Sequence, residues 1–216
     1  MKIWVISDTH TNHRDLIMPD LSDVDMIIHA GDCGAHPNII ISQGDIKDFL
    51  KWFAELPVKH KLYIPGNHDT SVDKGLWTVE EVAEYGITML IDETITIDDI
   101  KIFGCPHTPR FGQGWAFNKE RGADIAQYWE LIEEGTDIVV SHGPPFEILD
   151  FSRSGHHCGC VDLGIKILEI KPKYHIFGHI HEDGGKIETK NDITYINAST
   201  VNLRHEIVNH GRIIEI

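Results

Sequence analysis

Positive charge is scarce in this chain. Its 216 residues carry 19 Lys and Arg against 34 Asp and Glu, a formal net charge of −15. So acidic a surface argues against sequence-independent binding to long nucleic acid, which depends on basic side chains that neutralise phosphates. Small phosphate esters stay open, because bound metal ions reverse a local field. Long hydrophobic runs are missing too. No stretch approaches the roughly 20 apolar residues of a membrane span, and no signal-peptide pattern precedes the first apolar run. Cysteines are few: Cys33, Cys105, Cys158 and Cys160 make no zinc-ribbon spacing. Cys158-Gly159-Cys160 beside His156 and His157 is either a polar loop with reduced thiols or a place for a stray metal. A cytoplasmic, reducing location is the expectation. Repeats, low-complexity stretches and linkers are also lacking, so residues 1–216 read as one domain.

What the chain does have is a recurring pattern. Five short apolar runs end abruptly in Asp, His or Asn. They are Ile3-Trp4-Val5-Ile6 before Asp8 and His10; Met26-Ile27-Ile28 before Asp32; Leu62-Tyr63-Ile64 before Asn67, His68 and Asp69; Ile138-Val139-Val140 before His142; and Ile176-Phe177 before His179 and His181. Each run is continuous, β-branched and too short for a helix, which predicts a buried strand. Each strand therefore delivers a polar side chain to its carboxyl end, the edge where open α/β sheets build their sites. Asp, His and Asn without Cys form the ligand set of a hydrolytic two-metal centre. Mixed nitrogen and oxygen donors favour Mn, Fe, Co, Ni or Zn over Ca or Mg, and manganese is taken as the first expectation.

Helix signals alternate with these strands, which predicts an α/β protein. Ile46, Phe49, Leu50 and Phe53 share one face of a helix over 45–56, stopped by Pro57. Thr78-Val79-Glu80-Glu81 reads as a capping box, with Gly86 past the helix end. Ile125, Tyr128, Trp129 and Ile132 mark a third helix closed by Gly135. Val161, Ile165 and Leu168 mark a fourth stopped by Pro172. Short strands are predicted over 88–91, 94–98 and 101–104, and more in the tail from 185 to 216. Hairpin-like strands inside an alternating pattern suggest two mixed sheets, each covered by helices.

The order Asp-x-His, Gly-Asp, Gly-Asn-His-Asp, His and Gly-His-x-His resembles the calcineurin-like metallophosphoesterases. Cys105-Pro106-His107-Thr108-Pro109, Trp115-Ala116-Phe117-Asn118, His142-Gly143-Pro144-Pro145 and Asn197-Ala198-Ser199 resemble the subgroup called metallophosphoesterase domain-containing, which is related to the class III cyclic-nucleotide phosphodiesterases. The resemblance implies a four-layer α/β/β/α sandwich. It implies that Asp8, His10, Asp32 and His181 hold one divalent ion and that Asp32, Asn67, His142 and His179 hold a second, with Asp32 bridging. It also implies hydrolysis by a hydroxide shared between the metals. His68 would be the general acid, Asp69 would set its tautomer, and Asn67 and His68 would meet the substrate.

Residues 107–118 read as a loop near the site mouth. Its aromatic side chains are candidates for stacking on a base, and Arg110 for meeting a phosphate; a packed surface loop or an oligomer contact is the alternative. His156 and His157 are further candidate substrate contacts, and His29 reads as a core or supporting residue. The expected activity is hydrolysis of small phosphodiesters, cyclic nucleotides among them. A phosphomonoesterase or protein phosphatase is the alternative, and a non-catalytic scaffold is weaker still because both His179 and His181 are present. No arginine adjoins the five motifs in sequence, which disfavours enzymes that clamp a phosphate dianion.

Overall fold

The computed structural model describes residues 1–216. In chain order the elements are β1 (Lys2–Ile6), β2 (Met26–His29), α1 (Ile39–Glu55), β3 (His60–Tyr63), α2 (Thr70–Asp73), α3 (Val79–Ala83), β4 (Thr88–Met89), β5 (Glu93–Ile97), β6 (Ile100–Cys105), β7 (Thr108–Pro109), β8 (Asn118–Lys119), α4 (Ala123–Trp129), β9 (Ile138–Ser141), α5 (Val161–Ile170), β10 (Tyr174–Phe177), β11 (Ile187–Lys190), β12 (Ile193–Asn197) and β13 (Arg212–Glu215).

Two mixed sheets carry the fold. The first has the order β13-β1-β2-β3-β4 and the second β11-β12-β10-β9-β6-β5. β1 to β4 run parallel, as do β12, β10, β9 and β6, while β13, β11 and β5 close the edges antiparallel. Alternation of side chains along a strand explains the layers. Ile3 and Val5 of β1 face a central core shared with Met26, Ile28, Ile138, Val140 and Ile176. Their neighbours Trp4 and Ile6 face the opposite way, onto Ile46, Phe49, Leu50 and Phe53 of α1. In the second sheet Val139 and Phe177 turn outward onto Ile125 and Trp129 of α4 and Leu163 and Ile167 of α5. Three cores between four layers give the α/β/β/α sandwich, and the strands are apolar on both faces because both faces are covered.

Helix bounds differ from the sequence reading in instructive ways. α1 begins at Ile39, well before residue 45, because Asn38 caps it by accepting from Ile40 N and Ile41 N at 3.0 and 3.3 Å. The capping box forms: Thr78 N donates to Glu81 Oε2 and Glu81 N to Thr78 Oγ1. α4 stops at Trp129, and Ile132 is buried from the turn that follows. The face assigned to α5 is reversed. Leu163 and Ile167 are buried, whereas Val161, Ile165 and Leu168 are exposed. α5 has apolar residues on both sides, so a period of 3–4 residues does not choose between them. No helix is long and apolar enough to cross a membrane.

Candidate metal centre

The carboxyl ends of β1, β2 and β3 in one sheet meet those of β9 and β10 in the other. A parallel bridge between Ser7 and Ser199 ties the sheets together at this edge, and Thr200 N donates to the Ser7 carbonyl at 3.0 Å. Every predicted ligand lands here. Beyond the strand ends the chain turns sharply, and Asp8, His10, Asp32 and His179 all have positive φ, between 40° and 67°. Non-glycine residues seldom adopt this region, and such strain gathers at functional sites. Two glycines are required by proximity. A Cβ at Gly66 would overlap the Asp32 carboxylate and the His142 ring, and one at Gly178 would overlap the Asp8 carboxylate.

The donors form two groups that share Asp32. On one side His10 Nε2 lies 3.9 Å from Asp32 Oδ2, 4.0 Å from Asp8 Oδ1 and 3.2 Å from His181 Nε2. His181 Nε2 lies 3.3 Å from Asp8 Oδ1. On the other side His142 Nε2 lies 3.4 Å from Asp32 Oδ1 and 2.9 Å from Asn67 Oδ1, and His179 completes a group with Asp32 and His142. One oxygen of Asp32 thus faces each group, the placement a bridging carboxylate needs.

Tautomers test whether this set suits metal ions. His10 Nδ1 faces the Gly34 carbonyl at 2.9 Å, His142 Nδ1 the Ala30 carbonyl at 2.9 Å, and His181 Nδ1 the Asn202 carbonyl at 3.3 Å. A carbonyl only accepts, so each Nδ1 carries the hydrogen, and it is Nε2 that each ring offers to the centre. His10 and His181 then point Nε2 at each other, and His142 points Nε2 at the oxygens of Asp32 and Asn67. Such a set calls for cations between its members, and the residues fit a binuclear centre.

The electrostatics agree. Burial alone would raise Asp8, yet His181 and His142 hold it below the ordinary carboxylate range. Burial opposes ionisation of Asp32 as well, and His142 and His68 hold it well below that range. Against burial, Asp32 pulls His142 up to about 9, so in the absence of metal its Nε2 holds a proton between the oxygens, which a bound cation would displace. Burial pushes His10 down to about 4 and His179 to about 3, which keeps their nitrogens free to ligate.

His68 sits beside this centre. Its Nδ1 donates to the Ala35 carbonyl at 3.1 Å, its Nε2 lies 3.9 Å from Asp32 Oδ2, and its backbone N donates to Asp32 Oδ1 at 2.7 Å. Asp69 does not set the His68 tautomer; Ala35 does. The Asp69 carboxylate instead accepts the backbone N–H groups of Asp32, Gly34 and Gly66 at 3.0, 2.9 and 2.7 Å. Burial and the Asp32 charge push Asp69 up to about 6 despite those donors.

The loop over 107–118 reaches the mouth through its aromatics. Trp115 packs on the His68 ring at 4.6 Å, Phe111 on His179 at 5.0 Å, and the two stack at 5.8 Å. Arg110 is turned away, with Nε 2.6 Å from Glu120 Oε1. His107 is buried against Asp92 and does not face substrate. His157 is held by Asp150 at 2.6 Å and His156 is exposed, so neither joins the metal ligands. His29 is a core residue packed on Phe49, bonded to Thr9 Oγ1 at 3.1 Å.

Two features escaped the sequence reading. His205 lies flat on His10, centroids 4.1 Å apart and planes 5° apart, and its donor atom falls within 4.8 Å of those of His10 and His181. Arg153 and Arg204 line a cleft together with His181, Glu182 and Asn202. Neither has a motif spacing that would have flagged it.

Comparison with known proteins identifies the family and the fold. The sequence model of the family described as "Calcineurin-like phosphoesterase" matches residues 1–183. The chain is 31% identical over 235 residues to the human protein called metallophosphoesterase domain-containing protein 1, covering 98% of this chain and 69% of that one. It is 32% identical over 223 residues to a UPF0046 protein of Caenorhabditis elegans, covering 96% and 72%. The crystal structure of a phosphopantetheinyl hydrolase from Mycobacterium tuberculosis superposes with a TM-score of 0.64 at 14% identity, covering 99% of this chain and 95% of that one; at that identity the likeness is one of fold.

Proposed function

The chain belongs to the calcineurin-like phosphoesterase family, and on that premise we propose that it is a two-metal phosphodiesterase of small nucleotide-like esters, cyclic nucleotides among them. Two divalent ions, manganese first, held by Asp8, His10, Asp32 and His181 and by Asp32, Asn67, His142 and His179, would supply a water of lowered pKa and positive charge against the phosphoryl oxygens. The protein's own groups do the rest. His68 has one ring nitrogen fixed on the Ala35 carbonyl, so its Nε2 is the atom that delivers a proton to the departing oxygen. Trp115 packs against that ring at 4.6 Å. Ala116 N donates to the Asn67 carbonyl at 3.0 Å, which couples the aromatic loop to a ligand-bearing segment.

The observation that carries the diester reading is the paired Phe111 and Trp115 at the mouth. Their faces suit a nucleobase and give a simple alkyl ester nothing to stack on. A phosphomonoesterase is the second reading, and the cleft with Arg153 and Arg204 beside His181 favours it, since guanidinium groups are suited to a phosphate dianion. Free cysteines throughout suit a cytoplasmic setting, and the net charge of −15 suits a small substrate rather than long nucleic acid or an anionic membrane.

The deciding measurement is kcat/KM for bis-(p-nitrophenyl) phosphate, p-nitrophenyl phosphate and the 2′,3′- and 3′,5′-cyclic nucleotides with each candidate metal. The diester reading expects cyclic nucleotides to be turned over and the Trp115→Ala variant to lose that activity more than the nitrophenyl diester activity. A clear monoester preference without cyclic-nucleotide turnover transfers the assignment to the phosphatase reading.

A further inference from the structure

Away from the binuclear centre, at the end of β6, Asp92, Cys105 and His107 bring a carboxylate oxygen, a thiol sulfur and an imidazole nitrogen within 4.8 Å of one another. His107 Nδ1 faces the Phe117 carbonyl at 3.3 Å and must donate to it. His107 Nε2 lies 3.0 Å from Asp92 Oδ2, so imidazole and carboxylate are held side by side. Asp92 Oδ1 is buried and finds no hydrogen-bond partner. Asp92 itself is held at φ 59°. Cys105 is fully buried beside these groups. Three donors of metal-binding type that converge within 4.8 Å, with one buried carboxylate oxygen lacking a partner, describe a cation site.

We propose that Asp92, Cys105 and His107 bind a zinc ion that clips the base of the aromatic loop to the β4–β5 turn. Zinc suits the set because it accepts thiolate, imidazole and carboxylate together and has no geometric demand beyond a compact tetrahedron. Bonds of about 2.0 Å to nitrogen and oxygen and about 2.3 Å to sulfur put tetrahedral donors roughly 3.2–3.8 Å apart. The donors of the cluster already lie within 4.8 Å of one another. On binding, the Cys105 thiol releases its proton to solvent, and thiolate, carboxylate and Zn²⁺ sum to zero charge, which limits the cost of burying them. Burial and the Asp92 charge otherwise hold the Cys105 thiol protonated, well above its ordinary range. The fourth position falls to a water on the Asp92 side, where the side chain is 20% exposed against 6% for His107.

The clip would act on the loop's two ends. His107 begins the loop, and the Phe117 carbonyl that its Nδ1 holds lies near the loop's end. Between them are Phe111 and Trp115 at the metal-centre mouth.

Cobalt substitution separates this site from the binuclear one, whose ligands include no sulfur. The metal-free full chain is titrated with Co²⁺ and followed by absorption, and bound Zn²⁺ is counted by mass spectrometry after gel filtration. The proposal expects a thiolate-to-cobalt charge-transfer band in the near ultraviolet that Cys105→Ser abolishes. It also expects one fewer zinc bound in Cys105→Ser and in His107→Gln than in the wild type. Absence of the band in the wild type, or its survival in Cys105→Ser, overturns it; the cluster is then a hydrogen-bonded His107–Asp92 pair beside a buried thiol. Cys158→Ser, in the loop that also carries His156 and His157, should leave the band unchanged; loss of the band there assigns the thiolate to that loop and overturns the proposal.

Discussion

The backbone N–H of Asp32 donates to the carboxylate of Asp69 at 3.0 Å. That bond joins the bridging position after β2 to the segment after β3, and Gly34 and Gly66 converge on the same carboxylate. Asp69 therefore shapes the backbone that presents Asp32 and Asn67, and it reaches the chemistry only through them.

From this follows the behaviour of Asp69→Asn. An amide offers one acceptor where three N–H donors converge, and its own NH₂ must oppose one of them. Hydrogen bonds to a buried charged group are worth about 1.5–3 kcal/mol, so the variant should lose about 2–3 kcal/mol in urea unfolding with metal removed. Its metal content should fall as well. Unchanged stability and metal content with lost turnover would return Asp69 to the role of orienting His68.

His68→Ala should keep its metals, because the ring lies beside the ligand groups and is not needed to complete either. Turnover should fall by roughly 10²–10⁴-fold for a substrate with an alkoxide leaving group. The loss should be far smaller for nitrophenolate, which departs without a proton. Parallel rate comparison of a cyclic nucleotide and bis-(p-nitrophenyl) phosphate checks this; equal losses would mean that His68 only positions phosphate.

The sequence made the strand ends legible because parallel strands buried on both faces read as unbroken apolar runs, and the break after each run exposes the ligand. The same completeness of burial hid other things. Once apolar residues lie on both sides of a helix, as in α5 with Val161, Leu163, Ile165 and Ile167, the buried face is set by which sheet the helix meets. Ile39, Ile40 and Ile41 are exposed at the start of α1, so its first turn lacks the amphipathic signal that begins at Ile46. His205 lies 24 residues beyond His181 in a turn whose shape depends on Asn202, whose Oδ1 accepts from Arg204 N and Glu206 N at 2.8 and 3.1 Å. No local spacing announces it. Asp69 adjoins His68 in sequence, but its partners in space are the backbone N–H groups of Asp32, Gly34 and Gly66, which no local spacing shows.

Acid should destabilise the fold partly through His175. Burial pushes this histidine down to about 3 from an ordinary value of 6.5. Its Nε2 bonds Ser141 Oγ at 2.8 Å, and its Nδ1 is buried without a partner. The folded state thus refuses a proton that the unfolded state takes up, so stability is complete above about pH 6.5 and declines as pH falls toward 3. The slope is about 1.4 kcal/mol per pH unit for one proton. His175→Gln should flatten it, narrowing its deficit against the wild type by about 2–3 kcal/mol between about pH 6.5 and 4.5. Urea midpoints in chelator at both pH values make the comparison; curves that stay parallel would mean that His175 does not titrate in this range.

The last expectation concerns His205. Its ring lies over the face of His10, centroids 4.1 Å apart and planes nearly parallel, and its carbonyl accepts from Asn12 Nδ2 at 3.0 Å, which ties its turn to the His10 segment. His10 has its Nδ1 fixed on Gly34, which sets where Nε2 points; His205 stops the ring from tilting out of that plane. Removing a group that orients a metal ligand typically costs 10–100-fold in metal affinity or activity. His205→Ala should therefore shed metal on dialysis about 10–100-fold more readily than the wild type. His205→Phe should retain metal, because the restraint is a flat ring and needs no nitrogen. Metal content after dialysis, read beside turnover, distinguishes the cases. Should Phe fare no better than Ala, the His205 nitrogen itself is what the centre uses, and His205 belongs among the groups that touch metal or substrate.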